Sequence, residues 1–209
     1  GLEFEDALYL VQQRVKAMQE AVPIGQGKMA AVLGTKIDFL KELIKSNNKN
    51  NGICEIANDN AEGQIIISGD KQSVESLQTL LKEKKIKTIP LKVSAPFHCT
   101  LMKPAAENML KKIEKIQFKK PKYEIISNVT AEPITEPDQI KKLLIKQIYS
   151  TVKWRESIVR MSKEHVKNFV EIGPGKVLNG MVKRTIKDVN CFSINSIADI
   201  KNLVNEFKK

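Results

Sequence analysis

The sequence predicts an α/β fold, a small βαββαβ unit set into a larger body of alternating strands and helices. Three observations predict it. Residues 28–93 run strand, helix, strand, strand, helix, strand, and their apolar spacing switches between the strand and the helix period. Residues 94–209 alternate strands with helices, which implies a parallel sheet covered on both faces. At 209 residues and 42% hydrophobic content, the chain has material for one or two domains and a sizeable core.

In order, residues 4–21 form a helix, with Glu5 and Asp6 in its first turn and Pro23 as its stop. Phe4, Ala7, Leu8, Val11, Val15, Met18 and Val22 share one arc of it, read as the inward side. KMAAVLG is a short apolar strand, and KIDFLKELIKSN an amphipathic helix with Ile37, Leu40, Leu43 and Ile44 on one side. NNKNNG is a polar turn. GICEIAN and GQIIISG are strands joined by the turn DNAEG. KQSVESLQTLLKEKK is a helix with Val74, Leu77, Leu80 and Leu81 inward, and IKTIPLKVS is the closing strand. This order is the ferredoxin-like pattern.

Beyond it, Pro104 opens a helix that runs through Ile116, and YEIISNV is a strand. Pro137 opens a helix to about Tyr149, and another spans about Trp154 to Glu164. VKNFVEIG is a strand meeting the turn Gly173-Pro174-Gly175 and the helix KVLNGMVKRTI. CFSIN is the last strand and SIADIKNLVNEFKK the last helix. The expected division is a body made of residues 1–23 and 94–209, with residues 24–93 inserted as a subdomain.

Composition removes several classes. No apolar run approaches the ~20 residues of a membrane span, so no membrane association is expected. The opening GLEFEDALYL has acids and no basic segment, unlike a secretory leader. Cys54, Cys99 and Cys191 are odd in number and form no CxxC pair; they read as free thiols of a reducing, cytoplasmic compartment. The two histidines, His98 and His165, lie far apart and give no metal-ligand spacing. The net charge of +11 favours anionic partners. Lysine is the habit of this chain, and only Arg14, Arg155, Arg160 and Arg184 are arginine, so each arginine hints that its planar fork is wanted.

Two polar residues fall on apolar stripes. Arg14 is the one charged residue at the edge of the first helix's apolar arc. It needs either a structural ion pair, water at its head, or a bound anion. Gln147 lies amid Ile140, Leu143, Leu144 and Ile148, where a satisfied core amide is the alternative to a functional one. His98, in VSAPFHCTLMKPA, falls between a strand and a helix at a sheet end, where α/β active sites gather. It reads as a general base or as a capping residue. A Cys99–His98 nucleophile pair is disfavoured, because adjacent side chains point apart. There is no GxSxG elbow, no P-loop and no GxGxxG motif.

Several stretches together resemble the malonyltransferase family of fatty-acid and polyketide synthesis. They are RVKAMQEAVP, GKMAAVLG, GQIIISG, VSAPFHCTLMKPAAE, SNVTAEP, the pair Gln147 and VKWRES, and EIGPGKVLNGMVKR. They occur in family order across nearly the whole chain. The resemblance implies an α/β-hydrolase-like body carrying the ferredoxin-like insert. It implies malonyl transfer from malonyl-CoA to the phosphopantetheine thiol of an acyl carrier protein, by a ping-pong route with no metal or other cofactor. It makes His98 the catalytic base, Arg14 the partner of the malonyl carboxylate, and the Gln147 main-chain carbonyl the group that orients His98. Asn58, in the loop before Gly63-Gln64, corresponds to a family asparagine near the substrate.

Two departures accompany the resemblance. The family usually has glycine after the arginine, where this chain has Val15. Its serine lies in a GHSxG elbow upstream of the arginine, and no such elbow occurs here. The expectation is therefore a C-terminal two thirds of the enzyme, a monomer, inactive in transfer by itself, with about three body strands to pair. The rival readings are an acyltransferase of another acyl preference, a non-catalytic remnant that docks the carrier protein, and a basic nucleic-acid-binding module. The last would stack bases on sheet aromatics, which MAAVLG and QIIISG lack, so no nucleic-acid partner is expected.

Overall fold

The computed structural model describes residues 1–48 and 52–208. Eight α-helices, a short 3-10 helix at Thr100–Met102 and eight strands follow one another along these residues. They begin with α1 (Phe4–Glu20), β1 (Gly27–Leu33), α2 (Ile37–Asn47), β2 (Cys54–Ala61), β3 (Gln64–Asp70), α3 (Lys71–Glu83) and β4 (Lys87–Pro90). Then come α4 (Lys103–Ile113), β5 (Ile125–Ile126), β6 (Pro133–Ile134), α5 (Pro137–Gln147) and α6 (Trp154–Lys163). The last are β7 (Asn168–Ile172), α7 (Val177–Thr185), β8 (Asn190–Ile194) and α8 (Ile197–Phe207). Of the polar turn NNKNNG, residues 49–51 lie outside the described residues. Among those described, no helix is long and apolar enough to cross a membrane.

The first four strands form one antiparallel sheet in the order β2-β3-β1-β4, as the βαββαβ pattern requires. Alternation decides its two faces. Ala30, Val32, Ile65 and Ile67 point one way and are sealed by Leu40 of α2 and by Val74, Leu77 and Leu81 of α3. Met29, Ala31, Ala57 and Ile66 point the other way, with Leu91 and Phe97 packed on them. Asp70 ends β3 and caps α3, accepting from the Ser73 and Ile53 amides at 2.8 and 2.6 Å. In the body, Leu10, Ala17 and Met18 of α1 pack on Ala105, Ala106 and Met109 of α4 and on Ile140 of α5.

Four expectations are corrected. Asn58 is not in a loop: β2 continues to Ala61 and the turn shrinks to Glu62-Gly63, with Gly63 at φ +69°. Polar residues survive in this strand because its register shifts twice, between Ile56 and Asn58 and between Asp59 and Ala61, which re-aims side chains. The apolar arc of α1 is not all inward. Phe4, Leu8, Val11 and Val15 are 76, 59, 59 and 49% exposed, and the buried contact is made by Leu10, Ala17 and Met18. YEIISNV contributes only two residues of strand. The chain doubles back there, with Ala131 at φ +59° donating to Ser127, so its partner is the neighbouring β6 in an antiparallel hairpin. Consequently the parallel pairing of the body, expected over about three strands, is confined among the described residues to β7 with β8.

The subdomain sheet is fastened to the body along β2. The Asp59 amide donates to Val152 O at 2.9 Å, the Val152 amide to Ala57 O at 2.8 Å, and Thr151 Oγ1 to Ile56 O at 2.6 Å. Arg155 of α6 adds a fork, with Nε 3.0 and 2.9 Å from the two Asp59 oxygens and a terminal nitrogen at 2.7 Å. Asp59 is only 1% exposed while the Arg155 side chain keeps 30% exposure, so a buried carboxylate is matched by a half-buried guanidinium in the bidentate geometry that suits arginine.

Candidate active site

A cavity of about 600 Å³ opens where the second face of the sheet meets the body. Its floor is Met29 of β1 and Ile66 of β3; Asn58 and Asn60 rise from β2, and Leu178 and Met181 of α7 close one side. Arg14, His98, Gln147 and Asn58 all line it. Four residues picked from widely separated sequence positions thus share one concave space, the arrangement a binding site requires.

His98 sits in the connection from β4 to α4 with φ +59°, a left-handed conformation that non-glycine residues avoid. The connection is gripped on every side. The Pro96 ring lies so close to Gly27 that a Cβ on that glycine would collide with it. Cys99 Sγ donates to Pro96 O at 3.1 Å. Thr100 is held from β2 by Glu55, which accepts from the Thr100 amide at 3.0 Å and from its hydroxyl at 2.7 Å. The imidazole itself is fixed by Nδ1 at 2.9 Å from the Gln147 carbonyl oxygen, at the end of α5. A carbonyl can only accept, so Nδ1 carries the proton and Nε2 is left with its lone pair. Burial pushes the His98 pKa below its usual value, the Gln147 carbonyl opposes this, and the charge of Arg14 adds to the lowering. His98 is thereby a neutral base at neutral pH, with its free nitrogen available for proton transfer.

Arg14 reaches the cavity from α1. Its Nε is buried without a hydrogen-bond partner, and burial lowers its pKa with no offsetting carboxylate. The other arginines are matched within the protein: Arg155 by Asp59, Arg160 by Glu132 and Glu164, and Arg184 by Gln64 Oε1. Among the described residues, Arg14 alone of the four has no such partner. A partly buried guanidinium in that state favours an anion. Val15 does not touch the cavity; it lies on the exposed side of α1. Cys99 is buried, and burial raises its pKa to about 11, so it is a thiol and no nucleophile.

Sequence reasoning missed Asn60, Asn128 and Trp154, which also line the cavity, and the Asp59–Arg155 pair that fixes β2. The rarity of arginine was the signal for Arg155. No cluster of potential metal ligands occurs among the described residues.

The chain matches the family model described as the acyl transferase domain over residues 1–207. It is 41% identical to the malonyl CoA-acyl carrier protein transacylase of Bacillus subtilis over 100% of this chain and 66% of the relative. It is 40% identical to that of Haemophilus influenzae over 99% of this chain and 66% of the relative. Among solved structures, the malonyl CoA-acyl carrier protein transacylase of Clostridium perfringens superposes with a TM-score of 0.93 at 38% identity, covering 99% of this chain and 65% of that one. The corresponding protein of Coxiella burnetii gives 0.95 at 32% identity, covering 100% and 66%. The chain therefore spans about two thirds of the length of the relatives it matches. Matched along almost its whole length in sequence and in backbone, this chain belongs to the acyl transferase domain family.

Proposed function

We propose that the cavity binds the malonyl thioester of CoA. We further propose that, together with a nucleophile from the third of the relatives' length that this chain does not span, the protein transfers the malonyl group to the phosphopantetheine thiol of an acyl carrier protein. The observation that carries this reading is Arg14, a partly buried guanidinium facing the cavity without a protein partner. A neutral acyl group would leave it unpaired, whereas the free carboxylate of malonate accepts its fork. The relatives' names support the substrate. One similar solved structure, a malonyl-transacylase in complex with its type II polyketide acyl-carrier protein, supports the partner.

In the proposed mechanism a serine hydroxyl attacks the thioester carbonyl while His98 Nε2 takes its proton. The tetrahedral intermediate expels the CoA thiolate, which recovers that proton from His98. The carrier thiol, deprotonated by the same nitrogen, then attacks the acyl-serine, and the second tetrahedral intermediate breaks the ester bond, releasing the malonyl thioester while the serine oxygen takes the proton back from His98. Gln147 serves throughout as the acceptor that keeps the imidazole in one tautomer, and its carbonyl stabilises the ring when it is charged. Asn58, on the cavity wall, is assigned in this proposal to contact the bound thioester. The reaction needs no metal or organic cofactor. The division into residues 24–93 and a body of residues 1–23 and 94–209 is part of the same proposal, supported by the closed sheet formed between Gly27 and Pro90.

The test is a fusion of the unspanned third of the Bacillus subtilis relative, ahead of Gly1, assayed with labelled malonyl-CoA and holo carrier protein. Transfer is expected, and His98→Gln is expected to lower it by about 10²–10⁴. Failure of a folded fusion to label the carrier, or full activity of His98→Gln, contradicts the reading.

A further inference from the structure

We propose that Glu55 is a positioning residue for the His98 imidazole, clamping the backbone and hydroxyl of Thr100 from the neighbouring subdomain and so holding the loop that aims the ring. This rests on the reading of His98 as the general base.

His98 has φ +59°, and a non-glycine residue persists in that region only where its surroundings over-determine it. The ring has one restraint of its own, Nδ1 to the Gln147 carbonyl at 2.9 Å. On the far side of the residue the chain must also be held, or the backbone would relax and carry the ring off that carbonyl. Thr100, two residues on, is where this happens. Both Glu55 oxygens are engaged there, one by the amide at 3.0 Å and one by the hydroxyl at 2.7 Å. The acceptor is a carboxylate, which makes both bonds of the stronger, charge-assisted kind.

The clamp is useful because its base is rigid. Glu55 lies on β2, opposite Ser68 of β3, and its strand neighbour Ile56 is tied to the body through Thr151 at 2.6 Å. Three residues further along the same strand is Asn58, on the cavity wall. One strand therefore sets both the wall of the binding space and the backbone beside the base. The groups that act on the imidazole besides burial are the Gln147 carbonyl and the charge of Arg14; Glu55 is not among them, and its hydrogen bonds go to Thr100. A change at Glu55 that moves the ring must do so through the loop.

The chain has only two histidines, so the imidazole of His98 can be followed by NMR with His165→Gln as the assignment control. In Glu55→Ala the His98 titration midpoint is expected to move up toward the ordinary histidine value as the ring leaves its buried seat. Modification by diethyl pyrocarbonate is expected to become faster, with the circular dichroism spectrum unchanged. Thr100→Val, which keeps the amide and loses the hydroxyl, should shift the midpoint the same way by less, and Thr100→Ser should restore it. The Glu55→Ala/Thr100→Val double variant should go no further than Glu55→Ala. In the active fusion, kcat should fall about tenfold or more with KM for malonyl-CoA unchanged. An unmoved midpoint and modification rate in both single variants would overturn the inference, and Thr100→Val supplies the answer if Glu55→Ala does not fold. Full transfer by His98→Gln would instead remove the base reading, leaving the measured effect of Glu55 on the ring intact.

Discussion

The four-stranded sheet and the body differ in how much of their apolar surface they leave open to water. Between Gly27 and Pro90 the core is closed: Val32, Leu40, Ile67, Val74, Leu77 and Leu81 are all 0% exposed, and helices cover one sheet face completely. In the body, Phe4, Ile172, Val177 and Ile197 are 76, 81, 64 and 74% exposed, and the parallel sheet has two strands among the described residues. Parallel strands are normally buried on both faces, because the helices of their crossovers cover them. Large apolar patches rarely stay open to water without a partner. The contrast teaches that residues 27–90 bury most of their apolar side chains among themselves. The body, meanwhile, leaves several large apolar side chains open to water, and a third of the relatives' length lies outside what this chain spans. The cavity lies on the seam, with Met29 and Ile66 of the four-stranded sheet as its floor and Leu178 and Met181 of α7 on one side.

The pair across that seam offers the largest effect. Arg155→Ala strands the Asp59 carboxylate, 1% exposed, without a counter-charge. Unfolding in urea is expected to show a loss of about 3–5 kcal/mol. Within the closed region, Leu77→Ala should cost about 2–5 kcal/mol, whereas the same truncation at Ile172 should stay within about 0.5 kcal/mol. Equal costs at the two positions would erase the distinction between the regions. Hydrogen exchange should agree, with the β1 and β3 amides protected far longer than those of β7.

The pH dependence gives a smaller effect. Burial holds the His98 pKa below its usual value of about 6.5, and the charge of Arg14 adds to that. The unfolded chain therefore binds a proton that the folded chain refuses as pH falls below that value. Stability from this group is full above about pH 6.5 and is lost as pH drops through the lower folded value. In His98→Gln this part of the decline should be absent from denaturation midpoints measured between pH 7 and 5; an unaltered decline would show that the imidazole is not buried as described.

The closed region was also the more legible in the sequence. Its strands are short apolar runs set between turn residues and its helices carry one apolar stripe each, so the pattern predicts βαββαβ, and the sheet order agrees with it. The body was read less well, for a physical reason. A stripe such as Phe4, Leu8, Val11 and Val15 shows that something covers a helix face, but not whether the cover lies in the same chain. Likewise YEIISNV has strand composition, yet the local turn at Ser127–Ala131 decided its pairing. At the site, Arg14, His98 and Gln147 were legible because each broke its local pattern, a charge or amide on an apolar stripe and a histidine between strand and helix. Asn58 is expected in the loop before Gly63-Gln64, and the register shifts that accompany the continuation of β2 to Ala61 leave no sequence mark; Asp59 and Asn60 hide with it. Glu55 falls within the predicted strand GICEIAN, but its partner Thr100 is 45 residues away in sequence, which no local pattern reveals.

The most direct test of the central claim uses this chain alone and needs no catalysis. Malonyl-CoA and acetyl-CoA differ by the carboxylate that Arg14 is proposed to receive, and their affinities can be compared by titration calorimetry. The account predicts that malonyl-CoA binds about tenfold more tightly, as charge-assisted hydrogen bonding allows, and that Arg14→Ala abolishes the preference while leaving acetyl-CoA binding unchanged. Equal affinity for the two thioesters, or a preference that survives in Arg14→Ala, would contradict it.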